Sequence, residues 1–539
     1  MTMSYSKQAL ALAVTVACTG SAYALPIAQF NEADTANQVT LRIGGSSAHD
    51  QGLENLMRLT LAGGAEICKA GTLDIFRTTD KNNRLFFCTG GANSGALNKR
   101  LAVFKRSNGG SGTGVATVVR PGTITLDDAS TVTSSFLDTS VLGSIAGVAI
   151  GATGNFAAYS EHQGFANGAV VPAPSTASDV GISDVEPAPF LSIFNPDLNA
   201  AEQASIAPTT KAISAVIFGV PVTLGVYQRL QAVEFAAANA CNPNNAGYAA
   251  VANSEGCMPS LTKAQIQGLY TQNYADWSQI ESSVTPGLNV ATATTPTLGA
   301  MADTGVYIER RALSSGTEAG FEIFFMSQRC LAGSQTMATA GGGGISDVSG
   351  LPFVKENSSG NQIPGTLTAH DGAGRGALGT LTTELKAAAG DKWRFIKING
   401  AAPTVLNVVK GTYDMFFEST VQYRNSAVNG LPALAALPGG ALKKAVADAI
   451  ASNIGKPNVV NDLDTNFVQL FGVAGLVGNG IDNSASVPVA PFVAGAAGSG
   501  NPSDVLDLPI ALTSRAASGT LNACLPPVPV ANSQGNAGQ

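Results

Sequence analysis

Four segments of the chain repeat one design: a strand-like apolar stretch, a turn of small polar residues, then a new apolar run. They are GGSSAHD (44–50), GGSGTGV (109–115), SDVE (183–186) and RALSSGT (311–317). Such a turn leaves backbone N–H groups unpaired at a helix start, where the helix dipole adds partial positive charge. Glycine lets the backbone come close to a ligand, hydroxyls add donors, and an arginine adds charge-assisted bonds. The pattern therefore predicts an α/β fold with parallel or mixed sheets and an anion cradle at the turns. Any one turn alone is more simply a capped helix, so the case rests on their joint order.

The elements around the turns fit this. QVTLRIGG (38–45) alternates like a strand, and DQGLENLMRLTLA (50–62) has helical apolar spacing. RLFFCTG and RLAVFKR read as strands, AVIFGVPVTLGVY (215–227) as a buried strand, and GVYIERR as a strand leading into the fourth turn. SLTKAQIQGLYTQNYADWSQI (260–280) opens with a capping hydroxyl and places Ile266, Leu269 and Tyr270 on one helix face. ALKKAVADAIASNIG (441–455) is an amphipathic helix. Residues 120–175, rich in Gly, Ser, Thr and Ala, read as a long loop region or insertion, and HDGAGRG (370–376) reads as a glycine-rich loop. Trp277 and Trp393 read as core.

A chain of 539 residues has room for more than one domain. Its net charge of −7, with only 12% charged residues, lacks the basic footprint of a nucleic-acid binder. MTMSYSKQALALAVTVACTGSAYA (1–24) has the form of a secretory signal peptide, cleaved after Ala24, with an apolar run too short to span a bilayer. Export to an oxidising compartment fits the six cysteines that remain, which allow fifteen pairings. Cys68–Cys88 and Cys241–Cys257 would each close a short loop, leaving Cys330–Cys524. Metal binding is disfavoured, since there is no CxxC and only three histidines. Beyond about residue 484 the chain turns rich in Pro, Ala, Gly and Ser, and 516–539 reads as a flexible tail.

The collinear series of turns, then LTKAQIQGLYTQNYADWSQI, RRALSSGTEAGFEIFF and INGAAPTVLNVVKGTYDMFF, resembles the phosphate-binding protein of bacterial ABC phosphate importers over about residues 40–425. The resemblance implies a two-lobed type II periplasmic binding fold, each lobe a mixed sheet flanked by helices, with the ligand cleft between them. Lobe one would hold 38–220 and 380–515, lobe two 221–379, after a short mature segment at 25–37. It implies backbone donors near Ala48, His49 and Asp50, then Ser111 with Gly112 and Thr113, then Asp184, then Arg311, Ser315, Gly316 and Thr317. Two positions depart from the pattern. Leu313 stands where the family has the aspartate that pairs with the arginine, and His49 where it has Ser or Thr. A carboxylate such as Asp184 beside an anion favours one that carries a proton.

Three functions follow. The first is a periplasmic or extracellular binder of phosphate or a similar oxyanion, monomeric, without cofactor or catalysis, with an ABC importer membrane component as partner. The second is a surface protein that keeps the scaffold and has lost the ligand, which Leu313, the insertion and the tail favour. The third is a phosphatase-like relative, for which three histidines offer little support.

Overall fold

The computed structural model describes residues 27–60, 66–153, 156–167, 169–172, 177–329, 337–338, 353–455, 457–460 and 468–478. Residues 1–24, expected to be a signal peptide, Cys330, Cys524 and the expected tail at 516–539 lie outside the described residues. The β-branched and aromatic runs that alternate with helical ones build a large mixed sheet flanked by helices, an α/β fold as expected. From one edge, its strands run Val354–Asn357, Asp303–Arg311, Arg375–Gly379, Lys211–Thr223, Phe416–Tyr423, Val180–Ser183, Gln38–Gly45, Arg100–Arg106, Asn83–Thr89, Asp74–Thr78, Tyr159–Phe165 and Val148–Ile150.

Lys211–Thr223 belongs to two ladders at once. Its first half pairs antiparallel with Phe416–Tyr423, from Lys211↔Val421 to Ile217↔Phe416. Its second half pairs with Trp393–Ile398 and, at Val222↔Leu378, with Arg375–Gly379. On the first side, Gln38–Gly45 runs parallel to both Arg100–Arg106 and Val180–Ser183. These three strands therefore end at one edge, and the turns after them lie together, where open α/β sheets place ligands. On the second side, Asp303–Arg311 runs parallel to Val354–Asn357 and Arg375–Gly379 and ends at Arg311.

Helix Gly110–Val119 lies against the first side with almost no gap. A Cβ on Gly181 would stand 1.6 Å from the Gly114 carbonyl oxygen, and one on Gly45, at φ +109°, 2.0 Å from that of Ile182. Only glycine permits this approach.

Helix Lys263–Tyr270 starts at Thr262, which forms a capping box with Gln265, and buries Ile266, Leu269 and Tyr270. Trp277 and Trp393 are core residues. Cys68–Cys88 and Cys241–Cys257 are both disulfide-bonded.

Two local expectations are corrected. The 120–175 region is not simply loop: it carries short strands, and Tyr159–Phe165 joins the main sheet parallel to Asp74–Thr78. That strand buries Tyr159, Glu161 and Phe165, with Glu161 ion-paired to Arg77 at 2.9 Å, and the other strands of the region are three residues long, too short to show a period. Residues 370–376 are also not a loop. His370 sits in helix Ile363–Gly372, which opens with Pro364 in its first turn; its Nε2 lies 2.8 Å from Glu309 Oε1.

Candidate functional site

Asp184 is the centre of the site. It follows strand Val180–Ser183, and its side chain is buried. The Ser46 hydroxyl, from the first turn, donates to Asp184 Oδ1. The Ser111 hydroxyl, from the second, donates to Asp184 Oδ2 at 3.0 Å and accepts from the Asp184 N–H at 2.9 Å. Burial raises the Asp184 carboxyl above the usual carboxylate range, opposed by these hydroxyls and by the charges of Arg311 and Lys105.

The fourth turn meets the second directly. The Gly112 N–H donates to the Ser314 carbonyl at 2.8 Å. Gly316 packs so close that a Cβ there would lie 2.3 Å from Ser111 Oγ and 2.8 Å from Asp184 Cβ. Ser315 caps helix Gly316–Met326, accepting from the Glu318 N–H at 3.4 Å. Among the described residues, the N–H groups of Gly316 and Thr317 have no acceptor. Arg311, Ser315, Gly316, Thr317, Ser111, Gly112 and Asp184 thus come from three distant stretches of sequence to one place. Thr113 is buried, its Oγ1 without a hydrogen bond among the described residues.

The two adjacent arginines have different fates. Arg310 is consumed inside the protein: its Nη2 lies 2.8 Å from Glu318 Oε1 and 3.4 Å from Glu322 Oε1. Arg311 is only 5% exposed, yet its Nε alone has a partner, the Asn357 carbonyl at 3.3 Å. Neither Nη has a hydrogen-bond or ion-pair partner among the described residues. Burial lowers its affinity for its proton, and the charges of Asp184, Glu318 and Glu384 restore part of it. Leu313 packs against the core, and its carbonyl accepts from Arg329 Nη2 at 2.8 Å.

The first turn is held differently from the expectation. The Ala48 side chain is in the core, and the Asp50 N–H already donates to the Ser47 carbonyl at 3.0 Å, so of the three expected backbone donors Ala48 and His49 are the two without an acceptor among the described residues. The Asp50 carboxylate is engaged by Lys105 Nζ and Arg84 Nη1, each at 3.0 Å, and accepts from the Ser107 hydroxyl at 2.7 Å. Lys105 also donates to the carbonyls of Gly45 at 2.7 Å and Ser46 at 2.8 Å, fixing the turn that presents Ser46.

The His49 imidazole lies 2.9 Å from Ser214 Oγ and is held to about 3 by burial, with Lys105's charge adding. The unfolded chain takes up this proton near 6.5 and the folded one does not until about 3. Stability is therefore lost as pH falls from 6.5 toward 3. His49→Gln is expected to flatten that part of the acid-unfolding curve, measured by thermal melts across the interval; an unchanged slope would show that His49 is not the group responsible.

Sequence reasoning marked the turns that hold Ser46 and Ser314 without assigning those two residues to the site, and it missed Lys105. One signal existed for Lys105: in RLAVFKR it shares a strand face with Leu101 and Val103, both buried. A lysine in register with core residues needs a buried partner.

No protein-family model and no curated protein matches the chain. Solved structures give distant likenesses. A provisionally named phosphate ABC transporter substrate-binding protein from Clostridium perfringens, solved with bound phosphate, is 15% identical, with 56% of this chain and 79% of that one covered and a TM-score of 0.29. An ABC-type phosphate transport receptor from Vibrio cholerae is 16% identical over 47% and 69%, at 0.25. PstS from Borrelia burgdorferi is 9% identical over 56% and 79%, at 0.26. Scores this low carry no inference about ligand. Among the described residues no group of His, Cys, Asp and Glu could hold a metal ion, and no helix is long and apolar enough to cross a membrane.

Proposed function

We propose that this protein binds a tetrahedral oxyanion, phosphate or a close analogue, between the turns at 109–115 and 311–317, without catalysis. The observation that carries this reading is Arg311: a buried guanidinium whose two Nη groups face no protein partner among the described residues. A buried charge left this way is costly unless something pairs with it, and an oxyanion can accept two parallel bonds from the fork. The unaccepted N–H groups of Gly316 and Thr317 add donors at a helix start. Asp184 would accept the ligand's proton, favouring hydrogen phosphate over sulfate. The collinear motif series supports phosphate as the ligand. A scaffold that had lost its ligand would be expected to pair Arg311 internally; here Arg310 has that role instead.

In this reading the two ladders of Lys211–Thr223 belong to two lobes, at about 38–220 with 380–515 and at 221–379, and the protein is a monomer. It works in the periplasm or outside the cell, delivering its ligand to an ABC importer membrane component. The test is isothermal titration of the mature chain from Leu25 with phosphate, arsenate and sulfate. Phosphate is expected to bind at micromolar Kd or tighter, about −8 kcal/mol, with sulfate much weaker. No heat with any of the three would refute the reading, and turnover of an aryl phosphate would replace it with a hydrolase.

A further inference from the structure

We propose that Ser46, clamped by Lys105, is a positioning residue of the anion site: it gives its hydroxyl to Asp184 instead of to the ligand, and so fixes Asp184 as an acceptor that admits oxyanions carrying a proton and turns away those without one. This deepens the oxyanion-binding reading above and rests on it.

Ser46 is fully buried, and each of its polar groups is engaged inside the protein. Its N–H donates to the Ile182 carbonyl at 2.9 Å, its carbonyl accepts from Lys105 Nζ at 2.8 Å, and its hydroxyl donates to Asp184 Oδ1. This residue therefore reaches the anion only through the carboxylate. The other carboxylate oxygen, Oδ2, accepts from the Ser111 hydroxyl, so each oxygen holds one protein donor. An ionised carboxylate has about four acceptor positions, which leaves capacity on both oxygens for a ligand's O–H.

Lys105 keeps the Ser46 hydroxyl on this one acceptor. The neighbouring carbonyls, those of Gly45 and Ser46, already accept from Lys105 Nζ, and Ser46 Oγ has no other partner among the described residues. Lys105 is itself held, with Nζ 3.0 Å from both Asp50 Oδ1 and Ser107 Oγ. A hydrogen bond given to an ionised carboxylate favours that form. Burial raises the Asp184 carboxyl, and the Ser46 hydroxyl leads the groups that oppose this, ahead of Ser111, Arg311 and Lys105. Of the other charged groups around this end of the site, Asp50 is paired with Lys105 and Arg84, and Glu318 with Arg310. His49 stays neutral above about 3, and Glu186 is buried two residues along from Asp184. The Glu384 carboxyl, brought up to about 7 by burial with Asp184's like charge adding, is present in wild type and variants alike. An ionised Asp184 accepts the proton of hydrogen phosphate and repels sulfate, which has none; a neutral Asp184 could donate to sulfate.

The test is titration calorimetry of the full mature chain, Ser46→Ala and Lys105→Met with phosphate and with sulfate, at steps between about pH 5 and 8. Phosphate's own titration is the same for every variant, so the comparison is of the phosphate-to-sulfate affinity ratio. The wild type is expected to prefer phosphate throughout. Ser46→Ala should lower that ratio by about tenfold or more at the acid end, the weight of one hydrogen bond to an ionised group, and less at the alkaline end. Lys105→Met, which leaves Asp50 paired with Arg84, should move the ratio the same way. A Ser46 that only ties the turn to the strand end would lower the melting temperature and leave the ratio and its pH dependence as in wild type. That result overturns this inference while the binding function stands, and an unmoved ratio in a folded Lys105→Met overturns the clamp. If the wild type binds neither anion, the inference and the binding function are both overturned.

Discussion

Arg311→Ala is expected to weaken phosphate binding by a hundredfold or more, with the fold intact. Removing one partner of a buried charge pair typically costs about 2–5 kcal/mol, which is roughly thirtyfold to several thousandfold in Kd. The upper part of that range applies, because the guanidinium is buried and its charge opposes that of Asp184. Without it the ligand meets the Asp184 carboxylate and no cation of its own, since Arg310 is committed to Glu318 and Glu322 and Lys105 to Asp50. Arg311→Lys keeps the charge but not the planar fork and should fall in between. Stability should change little, because Arg311 gives up only one hydrogen bond, from Nε to the Asn357 carbonyl. Titration calorimetry beside a thermal melt separates the two effects. Wild-type affinity in Arg311→Ala would remove the guanidinium from the site.

Gly181→Ala should destabilise the protein by about 3 kcal/mol or more, and weaken binding as well. Overpacking a core usually costs about 1–3 kcal/mol when side chains can shift. Here the obstacle is backbone, the Gly114 carbonyl oxygen at 1.6 Å from the new Cβ, and that oxygen also accepts from Gln422 Nε2 at 2.8 Å. Helix Gly110–Val119 would have to lift from the sheet. Ser111 lies in its first turn and Asp184 just beyond the strand that carries Gly181, so lifting the helix also breaks the Ser111–Asp184 contact. Thermal unfolding and phosphate titration of this variant should therefore both shift. A melting temperature within a degree of wild type would mean that the helix is not seated as closely as the structure has it.

What could be read from the sequence was local. Thr262 followed by Gln265 announces a helix start because the capping box is made by neighbours in the chain. The second and fourth turns stand out because glycine, hydroxyls and arginine occur side by side. Ser46 lies in a turn that the pattern marks, but nothing local says which of its hydroxyls is used, and Lys105 is marked only by its register with Leu101 and Val103. Ser46 matters only because Asp184 lies across the strand ends, 138 residues away in sequence. The strands between 120 and 175 escaped for another reason: short segments rich in Ser, Thr and Gly form strands when a neighbouring ladder offers hydrogen bonds, a property of the sheet rather than of the segment.

The shared strand Lys211–Thr223 also governs how the molecule comes apart. Its two halves close two different ladders without a loop between them. Neither side can shed its edge without exposing the hydrogen bonds of the other. Heating should melt the described body of the protein in one cooperative step, not as two domains with separate midpoints, and a ligand that bridges the turns should raise that single midpoint.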